Sequence, residues 1–360
     1  MIEPLFGDLD PGTAPSKVSE AEPLPRVVLQ GISVEDVKAR DKVHYNMNNQ
    51  WMYKVDPADS TRLIPREDAP EPPADYREAL EKCSTRHWVD RFRGHYRIVN
   101  VPRKHTAWMK EASQLAVQQA GFSPLFRDDL EAAVADTACG DTFQFCDPSK
   151  PSSCYFVRTE RVSLKDGMHG VGPYASLKSI IESAVTARGG HQGVDSGTEQ
   201  LKLYLFPWRT DLDAFREFRV FVSQGRVTAF SQQKLYAINP ILAPLSQVDR
   251  TRVVENWLRR LLPYITATVI PRLEDLLPSF VLDIVLLGPP ASYRASSDAD
   301  SNVDLNSPEL LEPYFIEVNT FGFAYASGSS LFSWVEDYAL LYGIDPGMED
   351  GAVAVRYTTS

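Results

Sequence analysis

The sequence predicts an α+β protein built on antiparallel sheets, and three observations carry that expectation. Apolar runs with strand alternation are interleaved with amphipathic runs of helical spacing along the 360 residues. The run AFREFRVFV is followed by Gln224-Gly225 and then by RVTAFSQQ, which are two strand patterns joined by a two-residue turn. Finally, no glycine-rich strand-to-helix turn of the dinucleotide or P-loop kind is present.

Composition narrows the field. Hydrophobic residues make up 43% of the chain, enough for a sizeable core. The net charge of −11 makes the chain a poor general binder of nucleic acid or of anionic membranes. One local exception is RHWVDRFRGHYRIVNVPRKH, residues 86–105, which is basic and aromatic; it is read as a folded strand edge with solvated cations. No run of 18 apolar residues predicts a spanning helix, and the acidic, Pro/Gly-punctuated start lacks the pattern of a secretory signal. A cytoplasmic location is expected. Cys83, Cys139, Cys146 and Cys154 fit no zinc spacing and are read as reduced thiols.

Along the chain, residues 1–25 read as a flexible tail and 26–150 as an N-terminal α+β region. Within the latter, a helix is expected near Tyr76–Cys83, a strand in RGHYRIVNV, and a helix in HTAWMKEASQLAVQQAG with Trp108, Ala112, Leu115 and Ala116 on one face. Residues 151–343 hold the richest pattern: the strand CYFVR, a helix in LKSIIESAVTARGG, the strand EQLKLYLFPW, the hairpin above, a long helix or helix pair in DRTRVVENWLRRLLPYITATVIPRLEDLL, the strands FVLDIVLLG and PYFIEVNTFG, and a closing helix in LFSWVEDYALLYG. Residues 291–312 read as a mobile acidic insertion and 344–360 as a second tail.

The chemistry concentrates in two strands. Asp283 is the lone charge in FVLDIVLL, and a buried carboxylate is costly unless it is paired or binds a metal. In YFIEVNTFG, alternation places Phe315, Glu317 and Asn319 on one face and Tyr314, Ile316 and Val318 on the other. If the two strands pair, Asp283, Glu317 and Asn319 converge as hard oxygen donors suited to magnesium. A buried ion pair with Arg219 is the competing reading. Arg219, on the face of Phe215, Glu217 and Phe221, presents a fork suited to phosphate or carboxylate. Arg158, Arg161 and Lys165 lie around a glycine loop and could neutralise a triphosphate, although a solvated charge run is the stronger reading of the bare motif. LKLYLFPW reads as core, or as a hinge whose backbone meets an adenine edge while Leu203 and Leu205 cover the ring.

These segments together resemble the cell division cycle protein 123 family. FREFRVFVSQGRVTAFSQQ resembles its EFR hairpin, and FVLDIVLL with FIEVNTFG resembles its two metal-carrying strands. SGSSLFSWVEDY resembles its closing element, LKLYLFPWR its hinge strand, and YFVRTERVSLKDG its cationic segment, so that roughly 154–340 is covered in order. The sequence departs from the family at Thr320, where proline is usual, and at Gln233 and Leu164. The resemblance implies an ATP-grasp fold with ATP and magnesium between two α+β lobes. It implies phosphate contacts from Arg158, Lys165 and Arg219, an adenine hinge at Tyr204, Leu205 and Phe206, and magnesium on Asp283, Glu317 and Asn319. It also implies an assembly chaperone for translation initiation factor 2, binding its gamma subunit. An ATP-grasp ligase that joins a carboxylate to an amine, or nucleic-acid ends, is the alternative, with Arg161, Arg209 and Lys234 as candidate linings of its acceptor pocket.

Overall fold

The computed structural model describes residues 24–45, 51–68, 71–119, 121–187, 194, 200–288, 308–325 and 328–360. The acidic insertion expected at 291–312 falls mostly outside them, as does the expected tail up to residue 23.

The chain is α+β, with two principal sheets. In order it forms β1 (Val27–Ser33), α1 (Val34–Arg40), β2 (Tyr53–Asp56), β3 (Asp59–Pro65), α2 (Tyr76–Lys82), α3 (Thr85–Phe92), β4 (Arg97–Pro102), α4 (Thr106–Gln119) and α5 (Arg127–Asp136). There follow β5 (Tyr155–Arg158), α6 (Leu177–Thr186), β6 (Gln200–Pro207), β7 (Glu217–Ser223), β8 (Arg226–Gln232), α7 (Gln247–Tyr264), β9 (Phe280–Leu287), β10 (Glu312–Asn319), α8 (Tyr338–Tyr342) and β11 (Val353–Thr359). The smaller sheet has the order β4-β6-β5 and the larger β1-β11-β8-β7-β9-β10; β2 and β3 form a separate hairpin.

The larger sheet is organised by the β7–β8 hairpin. Its turn, Gln224-Gly225, holds both residues at positive φ, 48° and 71°, the geometry that matches the twist of paired strands. Every residue of β9 is buried, as a strand between β7 and β10 with a covered face requires. The cover is α7, whose Val253, Val254, Trp257, Leu258, Leu261 and Leu262 repeat at helical spacing. They pack with Phe218, Leu282, Ile284, Phe315 and Val318 from the sheet. The smaller sheet is covered by α4 and α6, through Trp108, Met109, Ala112, Ile180, Ile181 and Ala184 against Val99, Leu203 and Leu205.

Three expectations about organisation are corrected. The segment 344–360 is not a tail: Val353–Thr359 lies parallel between β1 and β8 inside the larger sheet. Its VAVRYTT run is short, and its neighbours are remote in sequence, so no local turn signals it. Residues 26–150 are not a separate unit, because β1 belongs to the larger sheet and β4 to the smaller. Between the sheets, α3 stacks Phe92 on Phe315 with ring centres 4.0 Å apart, while Thr85 Oγ1 donates to the Thr159 carbonyl at 2.8 Å. The closing helix is confined to Tyr338–Tyr342, ending at Gly343 with φ 69°, because Leu331–Asp337 runs as turns.

Four cations of the basic stretch 86–105 are paired in place: Arg86 with Glu81, Arg91 with Asp275, Arg97 with Asp141 and Lys104 with Asp136. All four cysteines are free, and no described helix is long and apolar enough to cross a membrane.

Candidate functional site

A cleft of about 750 Å³ opens between the two sheets. Phe156, Arg158 and Lys165 line it from the side of the smaller sheet, and Glu217, Arg219, Asp283, Tyr314 and Glu317 from the larger. The linker Pro207–Trp208–Arg209 joins the sheets at its back wall. A volume of this size suits a small-molecule ligand.

The cleft floor is ordered in rows. Antiparallel pairing sets Arg219 opposite Asp283 on one side and Glu317 opposite Asp283 on the other. One step along, Glu217 and Tyr314 both stand opposite Val285. Asn319 stands opposite Val281, beyond the charged row. Its amide nitrogen lies 3.4 Å from both Asp283 Oδ2 and Glu317 Oε1. Turning that amide by half a rotation brings its oxygen to the same point.

Plain alternation misplaces one residue here. A bulge between Phe315 and Glu317 leaves Ile316 without a partner, so Phe315 faces the core while Tyr314 joins Glu317 in lining the cleft; Asn319 touches both carboxylates but does not itself line the cleft. Each of Asp283, Glu317 and Asn319 is therefore brought together as expected, and Tyr314 is added.

The cations do not stand apart from the carboxylates. Arg219 donates from Nε and Nη2 to the two Asp283 oxygens at 2.9 and 2.8 Å, and Arg158 Nη1 donates to Glu317 Oε2 at 2.5 Å. The competing ion-pair reading of Asp283 is thus realised in this state. Lys165 lines the cleft mouth and is exposed, with no ion pair among the described residues. Arg209 and Lys234 line the cleft, whereas Arg161 does not.

Burial opposes ionisation of these neighbouring carboxylates, and their cationic partners decide the outcome for each. Burial pushes Asp283 above its ordinary value; Arg219 opposes the shift and Glu317 reinforces it. Burial acts on Glu317 in the same direction, but Arg158 and Lys165 outweigh it and hold the group well below the usual range. Burial, then the Asp283 charge, pushes Glu217 up to about 7. Closely set carboxylates of this kind fit a hard divalent cation, with the Asn319 oxygen as a third donor. Among the described residues no group of three or more His, Cys, Asp or Glu could hold a metal, so the set reaches three donors only through that amide.

The residues expected to form an adenine hinge are placed differently from expectation. β6 is the middle strand of its sheet, with Leu205 opposite both Arg97 and Val157, so the backbone of Tyr204 and Leu205 has neighbours on both edges. Leu203 and Leu205 are fully buried in the core of the smaller sheet, and Tyr204 donates its hydroxyl to Glu160 Oε1 at 2.7 Å. Of the three hinge candidates only Phe206 reaches the cleft, followed by Pro207, Trp208 and Arg209. An apolar strand next to a proline looks the same whether it is central or at an edge, so pattern alone does not separate these cases.

Among the lining groups not marked by the sequence are Arg93, Gly328 and Ser329. Arg93 enters from the end of α3, inside a stretch read as solvated. Gly328 and Ser329 enter from the segment after β10, where the Ser329 carbonyl accepts from Arg219 Nη1 at 2.9 Å.

No protein-family profile and no curated protein matches the sequence. Among solved structures, the chain is distantly similar in fold to Cdc123 from Schizosaccharomyces pombe, with 13% identity and a TM-score of 0.45 over 78% of this chain and 97% of that one. A C-terminally truncated Cdc123 from the same organism gives 12% identity and a TM-score of 0.46 with the same coverage.

Proposed function

We propose that the cleft binds ATP together with magnesium, as an ATP-grasp site does. The observation that carries this reading is the convergence of Asp283 and Glu317, with the Asn319 amide in contact with both, from two paired strands at a cleft that Arg158, Lys165 and Arg219 also line. The carboxylates would hold the cation. The two guanidiniums now paired to them would turn to the phosphates once the metal supplies the positive charge they provide here. Lys165, free of an ion pair among the described residues, reaches phosphate without that exchange. Through the resemblance of its hairpin and strand motifs, the chain is read further as a cytoplasmic assembly chaperone acting on the gamma subunit of translation initiation factor 2.

A ligase is the second reading, favoured by the presence of Arg93, Arg209 and Lys234 in the same cleft beyond the three phosphate cations. The deciding experiment is calorimetric titration of the full chain with ATP, with and without magnesium, followed by long incubation. Magnesium-dependent binding without turnover supports the chaperone reading, and release of ADP or AMP supports the ligase. Absence of ATP binding in both conditions rejects the nucleotide site.

A further inference from the structure

On the nucleotide reading, the charged row Arg219–Asp283–Glu317 marks the phosphate end of the cleft, and the base lies toward the linker, where the walls become aromatic. Phe206 lines that end from the smaller sheet and Tyr314 from the larger. The guanidinium of Arg93 lies over both rings, its Cζ 5.5 Å from the centre of Phe206 and 4.0 Å from that of Tyr314.

This guanidinium differs from its neighbours. Arg158, Arg209 and Arg219 each hold a carboxylate, on Glu317, Asp211 and Asp283. Arg93 has no ion pair among the described residues, and its buried Nε meets no acceptor. Its Nη2 makes one long contact, 3.5 Å, to the Ile316 carbonyl. A buried donor of this kind is costly unless a ligand supplies the acceptor.

From Phe206 to Trp208 the backbone offers no spare N–H to a base edge. Pro207 has no N–H, the Trp208 N–H is given to the Cys154 carbonyl at 2.9 Å, and Phe206 lies within the ladder opposite Phe156. A side chain is then the source of a donor to the ring nitrogens of the base at this end of the cleft. We propose that Arg93 reads the base: its guanidinium packs on Tyr314 and gives its Nε–H and an adjacent Nη–H to acceptor atoms on the edge of a purine. The planar fork has the geometry for such in-plane donation, and the aromatic walls suit a ring rather than a small anion.

The test compares ATP with inorganic tripolyphosphate, both with magnesium, by calorimetry on the full chain and on Arg93→Ala and Arg93→Lys. Arg93→Ala is expected to weaken ATP by roughly 10- to 100-fold while leaving tripolyphosphate within about twofold, as loss of one base-edge contact predicts. Retained tripolyphosphate binding also shows that the cleft is folded. Arg93→Lys, which keeps the charge and loses the fork, is expected to be as weak as alanine. Equal losses for the two ligands, unchanged ATP affinity, or full rescue by lysine would each overturn the assignment. A wild type that binds tripolyphosphate but not ATP overturns the base role alone, and one that binds neither rejects the nucleotide site itself.

Discussion

Arg219 and Asp283 face each other across adjacent strands and share a two-pronged ion pair, with both residues almost completely buried. Their pairing makes the candidate metal ligand a structural partner as well. Asp283→Asn leaves a buried guanidinium without its counter-charge, an imbalance that costs about 3–5 kcal/mol. We therefore expect a marked fall in melting temperature together with loss of magnesium-dependent ATP binding. Glu317→Gln is expected to lose the same binding with a smaller fall, because the Glu317 side chain keeps 19% exposure. Adding Arg219→Gln to Asp283→Asn removes the uncompensated charge and should recover part of the stability. Thermal melts of the three variants decide this, and a stable Asp283→Asn protein contradicts it.

Gly328 is fixed by the same arginine. It sits at φ 74°, and an added Cβ would lie 2.4 Å from Arg219 Nη1. Gly328→Ala combines backbone strain with displacement of Arg219 from Asp283, an expected loss of about 1–3 kcal/mol. Gly140 is the control: its φ is 49° but nothing lies within 4 Å of an added Cβ, so Gly140→Ala carries strain alone. Equal losses in urea denaturation would show that the contact with Arg219 contributes nothing.

Glu217 gives the cleft a pH dependence. Its carboxyl has an ordinary value of 4.5 and is pushed up to about 7 in the fold, first by burial and then by the charge of Asp283. A raised carboxyl binds its proton more tightly in the folded state. The associated stability is complete below about pH 4.5 and is lost as pH rises through about 7, by at most roughly 3 kcal/mol. Glu217→Gln should flatten the decline between pH 5 and pH 8. Glu317 is shifted the opposite way, so its contribution is lost only as pH falls through its depressed value, outside that window. Denaturation curves at the two pH values check the slope, and an unchanged slope in the variant would assign it to another group.

Much of this site could be read from the chain. Asp283 and Glu317 are recognisable because each is a charge inside an otherwise apolar strand, and such exceptions need a physical reason. The hairpin is recognisable because Gln224-Gly225 encodes its own turn. What escaped depends on distant partners. The bulge at Ile316 turns Tyr314 toward the cleft, yet a bulge leaves no mark on simple alternation. Arg93 looks like one of many cations in its stretch; only the packing of α3 against Phe315 separates it from Arg86, Arg91 and Arg97, which find carboxylates. β11 joins the larger sheet by parallel pairing, with no hairpin to announce it.

Lys165 separates the phosphate reading from a purely structural one. It lines the cleft and is exposed, and among the described residues it holds no ion pair, so its tie to the fold is the longer-range attraction of its charge to Glu317 and Glu217. Lys165→Ala should therefore change the melting temperature far less than Asp283→Asn does. If its ammonium meets the outer phosphates, one charge-assisted contact is lost, and ATP affinity should fall roughly tenfold or more. AMP carries only the phosphate nearest the ribose and should lose much less. Titration of both nucleotides against parent and variant checks the difference. Equal losses would place Lys165 away from the outer phosphates, and unchanged ATP affinity would leave Arg158 and Arg219, both tied to carboxylates, as the only proposed phosphate contacts.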